Sequence, residues 1–290
     1  NVVKLLTLYA RHRGTSAAEL GKVYIRLSGG TSSPVLYTDQ LYVSYAVTSR
    51  SVGYANGAVW VDTAIGVAGT ESFVHGVADN PVLTLADALT IATANRLRKF
   101  EIANGSSITL AATTSNKVFE GHEWDLALGG QDISSSMFID ANISGTGTGT
   151  LAEFETCEIA TVTLGPSFFH GCGFGATMTL GAAGNYFFYD CSSAVAGTST
   201  PVFDLATAGA NNMSFRRWSG GITLNNISSN DIISIDCVSG GTITLNGVDG
   251  NVQVRGMCNV VDNRTGSSVT LGLTNNMDYR FDNLDTAIAT

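Results

Sequence analysis

Asp190, Arg217 and Asp236 each stand immediately before a Cys or Trp, at Cys191, Trp218 and Cys237. If those residues stack in successive coils of a repeat, the two acids lie about 10 Å apart with the arginine between them. Paired carboxylates are the equipment of glycoside hydrolysis, at about 5–5.5 Å for retention or roughly 6.5–9.5 Å for inversion. An intervening guanidinium lowers both carboxyl pKa values, however, whereas a general acid needs its own raised. The trio therefore reads as a structural charge ladder. Glu153, Glu155 and Glu158 form a second acidic group, and alternating acids along one strand describe a solvated face.

Other chemistries fail on spacing. A phosphate loop ending at Gly21-Lys22 needs Gly where Ser16 stands and Ser or Thr where Val23 stands. His122-Glu123 lacks the second His of a zinc-protease helix, and no Gly-x-Ser-x-Gly elbow occurs. The four histidines (12, 75, 122 and 170) are scattered and no Cys-x-x-Cys exists, so the sequence nominates no metal site, no cofactor and no individual catalytic residue. Trp60, Trp124 and Trp218 are the side chains suited to stacking on sugars. Trp218 takes a Cys position in the repeat and Trp124 opens the strand Trp124-x-Leu126-x-Leu128, so both read as core.

The elements that position these residues come from two recurring phrases. The first is an apolar residue, Thr and Leu: Ile108-Thr109-Leu110, Val162-Thr163-Leu164, Met178-Thr179-Leu180, Ile222-Thr223-Leu224, Ile243-Thr244-Leu245 and Val269-Thr270-Leu271. Side chains alternate faces in a strand, so each phrase is half-buried with Thr outward. The second is Phe followed three residues later by Cys or Trp, at Phe154/Cys157, Phe169/Cys172, Phe188/Cys191 and Phe215/Trp218, continued by Cys237 and Cys258. Short strands, Gly and Asn at corners and no room for a helix between them predict a right-handed parallel β-helix, each coil about 4.8 Å above the last. An antiparallel sandwich also uses short Gly-bounded strands, but gives no reason for Leu to recur after Thr. Coils are expected over 98–110, 116–128, 136–147, 152–164, 167–180, 185–207, 213–224, 231–245 and 251–271, eight or nine in all.

Composition agrees. Hydrophobic residues make up 44% of the 290, enough for a sizeable core, while only 13% are charged, about half the usual share. No apolar run approaches the length of a membrane span, so no membrane insertion is expected. Asn1 in place of Met suggests a missing initiator or a longer segment. The net charge of −9 is uneven: residues 1–62 carry six basic residues against three acids, hence +3, which leaves −12 for the rest. An acidic body excludes nucleic acid as a partner, since phosphates need a basic face. Six of the nine tyrosines fall in the first 54 residues, and the composition change near residue 62 marks a boundary. Residues 1–62 read as a small β-rich attachment module, with strands at 2–11, 22–28, 41–48 and 57–62. Residues 63–97 read as a linker and capping helix, 98–272 as the β-helix, and 273–290 as a C-terminal cap or tail.

One amphipathic helix is expected over 85–96. Thr84 caps it with Asp87 three residues on, and Leu85, Ala88, Leu89, Ile91, Ala92 and Leu97 form its apolar stripe. Its physical task is to cover the open apolar end of the stack.

The run from Gly57-Ala58-Val59-Trp60-Val61-Asp62-Thr63 through Gly69-Thr70-Glu71-Ser72, Asp79-Asn80-Pro81-Val82, Leu85-Ala86-Asp87-Ala88 and Asn104-Gly105-Ser106-Ser107-Ile108-Thr109-Leu110 resembles the entry into the β-helix of tailed-bacteriophage virion proteins. These are the tail fibres, tailspikes and head appendages. The turn after the first strand is Ala103-Asn104-Gly105 where that group often has Pro-Gly, a departure from its polysaccharide-cleaving members. The resemblance covers about residues 60–160. It implies a virion location and a homotrimer; with the composition change near residue 62, other virion proteins are expected to dock through residues 1–62, and a host-surface glycan is expected as a further partner. The expected function is a non-enzymatic tail fibre or spike-type appendage for host attachment, with a head-decoration or head-fibre protein and a polysaccharide depolymerase as alternatives.

The five cysteines all fall inside the repeats, where a buried Cys behaves as a small hydrophobe. Mass spectrometry of the unreduced protein is expected to find five free thiols, with Cys157, Cys172 and Cys191 neighbours in one stack. Two disulfides per chain would contradict this reading.

Overall fold

The computed structural model describes residues 54–193, 200–205 and 209–266, with the backbone alone of 25–26, 35–36 and 270–271. Two compact units are formed, by residues 1–49 and 50–290. In the first, Ile25–Arg26 pairs antiparallel with Val35–Leu36, which places part of the strand expected over 22–28. The strands expected over 2–11 and 41–48 lie outside the described residues, as does 273–290.

The second unit is a parallel β-solenoid of about eight turns. Its main sheet is built on one inward column. Val59, Phe100, Phe119, Phe138, Phe154, Phe169, Phe188, Phe215, Ile235 and Val254 are paired in register from rung to rung. The seven phenylalanines form one continuous stack, with centroids 4.4–5.4 Å apart and planes within 19° of parallel. The rung spacing of a parallel sheet matches the stacking distance of aromatic rings, so hydrogen-bond ladder and ring stack reinforce each other.

The chain then turns a corner through one left-handed residue: Glu123, Asp140, Thr156, Gly171, Asp190 and Arg217, with φ between 47° and 63°. The residue after each corner points inward, as Trp124, Ala141, Cys157, Cys172, Cys191 and Trp218, all buried. Cys and Trp recur here for a shared reason. Each is apolar bulk carrying one donor that reaches a backbone carbonyl near the corner. The thiols of Cys157, Cys172 and Cys191 donate to the carbonyls of Phe138, Phe154 and Phe169 at 3.3–3.5 Å. Trp124 Nε1 donates to the Ile139 carbonyl and Trp218 Nε1 to that of Gly220, both at 3.1 Å. All five cysteines are unbridged, four buried and Cys258 half-buried. Burial, with hydrogen bonding to the neighbouring thiols of Cys157 and Cys191, pushes the Cys172 thiol well above its ordinary value.

The Thr-Leu phrases lie beyond the corner and occupy two registers rather than one. Leu164 pairs with Leu180, and Leu224 with Leu245, but Leu224 stands opposite Phe203, which stands opposite Met178. The phrase has slipped by two residues between coils. A two-residue slip preserves the face, so Leu110, Leu164, Leu180, Leu224 and Leu245 are all buried. The side chain of Leu271 lies outside the described residues.

The helix spans Leu85–Asn95. Thr84 Oγ1 accepts from the Asp87 amide at 3.1 Å, and Arg96 closes the helix in the left-handed conformation. Leu85, Ala88, Ile91 and Ala92 are buried, and the helix packs on the strand Ala58–Val61. That strand pairs in parallel with Lys99–Ile102. The first rung of the solenoid therefore precedes the helix, where the sequence reading grouped 57–62 with the attachment module. Alternation shows that 58–61 is a strand but carries no information about a partner that begins at residue 99.

Phe154 sits in mid-stack, 5.4 Å from Phe138 and 5.0 Å from Phe169. Phe154→Ala is expected to cost about 3–5 kcal/mol in urea unfolding, because it opens a cavity and interrupts the stack. A loss below about 1 kcal/mol would contradict the continuous column.

Candidate functional site

Fixing Phe inward fixes its two strand neighbours outward. The main sheet therefore presents two adjacent surface columns, one preceding each inward residue and one following it. At the N-terminal end they hold an ion-pair cluster in which Lys99 Nζ meets Glu101 at 2.9 Å and Glu120 at 2.7 Å. Hydrogen bonds that its ammonium donates to Glu120 and then to Glu101 raise the Lys99 pKa. Halfway along, the columns become aromatic. Phe168 stacks on Phe187 with centroids 5.1 Å apart, and His170 on Tyr189 at the same distance. The Arg216 guanidinium lies over the Tyr189 ring, 5.5 Å from its centroid. Beyond them come Ser214 and Ser234 in the first column, and Asp236 and Arg255 in the second. An aromatic face flanked by arginine, carboxylate and hydroxyls matches the surface of a sugar, apolar on its ring faces and polar around its edge.

The acids singled out from sequence are distributed differently from the expected ladder. Asp190 and Arg217 occupy consecutive corner positions and form an ion pair. Asp236 does not continue that column. It precedes Cys237 within the strand Ile232–Ser239 with no left-handed corner, and its rung partner is Arg255. The arginine is therefore engaged on one side only. Glu153 and Glu155 point outward from Ala152–Glu155, in register with Phe168 and His170. Glu158 lies past the corner, its carboxylate so close to Gly173 that a Cβ there would come within 2.4 Å of it. Trp124 and Trp218 are buried, as their strand positions imply.

A second feature is a shallow groove lined by His122, Glu123, Asp140, Asn142, Thr156 and Glu158. Its wall is a length irregularity. Trp124 follows Phe119 by five residues, where Cys157 follows Phe154 by three, so that residues 121–123 stand against Asp140 alone, two more than the corner needs. His122 Nδ1 pairs with Asp140 Oδ2 at 2.6 Å. The hydrogen bond that the imidazole donates to Asp140, then the charge of that carboxylate, raises the His122 pKa. Among the described residues no group of three or more His, Cys, Asp or Glu side chains is arranged to hold a metal ion.

Sequence reasoning missed Phe168, Phe187, Tyr189, His170 and Arg216 as surface groups. The doublets Phe168-Phe169 and Phe187-Phe188 carried the clue, since adjacent residues of a strand cannot both face inward. Comparison with known proteins finds no match: no family model, no curated protein and no solved structure is similar to the chain.

His122 is expected to titrate above the ordinary histidine value, and Asp140→Asn to bring it back down, in an NMR pH titration of the imidazole. The sign follows from the raised value: the pair favours the folded state below about pH 6.5 and that contribution fades as pH rises through the folded-state pKa. An unchanged titration in Asp140→Asn would refute the pairing.

Proposed function

We propose that the chain is a non-enzymatic structural protein of a phage virion, a tail fibre or spike-type appendage whose solenoid projects as a rod and binds host-surface glycan. The observation that carries this reading is the aromatic and arginine-bearing stretch on a sheet face whose geometry the inner Phe stack holds rigid. A binding surface that keeps its shape without a ligand avoids the ordering cost that flexible loops incur on association. The resemblance of residues 57–110 to the β-helix entry of tailed-phage appendages supports the virion location.

The same reading assigns a homotrimer. Past the corner, the outward positions of the Thr-Leu strands carry little charge: Thr163, Thr179, Asp204, Asn225, Asn246 and Asn263 follow one another in register. A flat, half-buried face of this kind suits packing against copies of itself, and it leaves the Phe-sheet surface free. The groove at His122 favours a second reading, a polysaccharide depolymerase, because it gathers Glu123, Asp140 and Glu158 around an imidazole.

Mass analysis and reconstruction of purified particles of the phage that encodes the chain are expected to find it as projecting rods. Absence from the particle would overturn the proposal. Light scattering of the isolated protein is expected to give three times the chain mass, and a monodisperse monomer would count against the trimer. Release of reducing ends from capsular polysaccharide or lipopolysaccharide, abolished by Glu158→Gln, would select the depolymerase.

A further inference from the structure

The outer aromatic column stops abruptly. Phe187 covers one of its faces with Phe168, and on the other side its rung neighbour is Ser214, followed by Ser234. Two small hydroxyl residues after two large rings leave a step in the surface, with the second face of Phe187 as its riser. Tyr189 in the adjacent column has no equivalent opening, because Arg216 lies over it. That stacking holds the Arg216 guanidinium beside the step. Farther along the same column come Asp236 and Arg255, the latter steadied by donation from its Nη2 to Gln253 Oε1 at 3.0 Å. Among the described residues Asp236 makes no ion pair, so its carboxylate keeps its acceptor capacity. Arg216 and Arg255, neither of them in an ion pair among the described residues, also place positive charge on a body that is otherwise acidic.

We propose that this step is a subsite for an anionic saccharide, a deepening that rests on the glycan-binding reading above. The apolar face of one sugar ring stacks on Phe187. Its carboxylate, or that of the next residue along the rod, is held by Arg216 or Arg255, whose planar guanidinium matches a carboxylate with two parallel hydrogen bonds. Ser214, Ser234 and Asp236 take the ring hydroxyls. Rungs recur every 4.8 Å or so, so an oligosaccharide running along the solenoid axis meets the aromatic face first, then the serine floor beside alternating Arg and Asp. Charge selects the acidic sugar and the ring face selects a saccharide over a simple carboxylate.

The test is isothermal titration of the full chain with tetragalacturonate, a hyaluronate tetramer and sialyllactose, each beside an uncharged counterpart. At least one acidic member is expected to bind in preference to its neutral partner. Phe187→Ala is expected to weaken that binding about tenfold or more, and Arg216→Ala to remove the preference for charge. Ser214→Tyr fills the step without removing any ring and is expected to block binding as well, which separates occupancy of the step from any loosening by Phe187→Ala. Acidic saccharide binding that survives both Phe187→Ala and Ser214→Tyr leaves the glycan reading intact and overturns this subsite. A preference for the neutral counterparts overturns the anionic class. Binding to no member, charged or neutral, overturns the subsite and the glycan reading together.

Discussion

The structure depends on the coincidence of two spacings. Parallel strands repeat at about 4.8 Å, and aromatic rings stack at nearly the same distance, so a Phe placed at one position of each coil satisfies backbone and side chain at once. Seven consecutive rings use it, from Phe100 to Phe215, and Ile235 and Val254 prolong the column with aliphatic bulk. Once that column is set, alternation leaves no freedom in which residues face outward. The surface is therefore a consequence of the core, and an outward ring, cation or acid is placed to within a rung by residues it never touches.

The corners show what the solenoid costs and how that cost is met. Five of the six bends in the Phe sheet put a non-glycine residue at positive φ, each unfavourable by about 1–2 kcal/mol. Where a Cys or Trp follows, it returns part of this by burying its side chain and donating to a nearby backbone carbonyl. Where the chain nears the end of the described residues, a different device appears. Arg264 is buried, grips Asp262 through Nε and Nη2 at 2.8 and 2.9 Å, and donates from Nη1 to the Gly250 and Asp249 carbonyls. A buried charge with each of these partners in place ties the final loop to the coil beneath it. Gly256 serves the same region by absence, since a Cβ there would lie 1.9 Å from the Cys237 carbonyl oxygen.

Much of this fold is legible in the sequence because its determinants are local and repeated. Phe-x-x-Cys reports a strand, a corner and an inward turn within four residues, and Thr84 with Asp87 reports the helix start directly. What stays hidden is register, which depends on residues far apart in sequence. The Thr-Leu phrases look equivalent, yet Thr179 stands opposite Asp204 while Thr223 stands opposite Val202, because a two-residue slip leaves the burial pattern untouched. Ala58–Val61 reads as a strand but its partner lies beyond an intervening helix. The same limit hid the outer platform: Phe187, Tyr189 and Arg216 acquire meaning only when their rungs are superposed, and Asp236 left the charge ladder because its coil turns without the left-handed corner.

Register is accordingly the claim on which the outer surface rests, and it can be read chemically. Ser214 and Ser234 are rung partners on the outer face, whereas Gln253 lies one rung farther on. Adjacent rungs place Cα atoms about 5 Å apart, within disulfide range, and a separation of two rungs is roughly 10 Å, outside it. The measurement is disulfide formation under mild oxidation in two double variants, Ser214→Cys with Ser234→Cys and Ser214→Cys with Gln253→Cys. Closure in the first and not in the second is the result expected. Closure in the second, or in neither, would contradict the rung order and with it the placement of every outward residue.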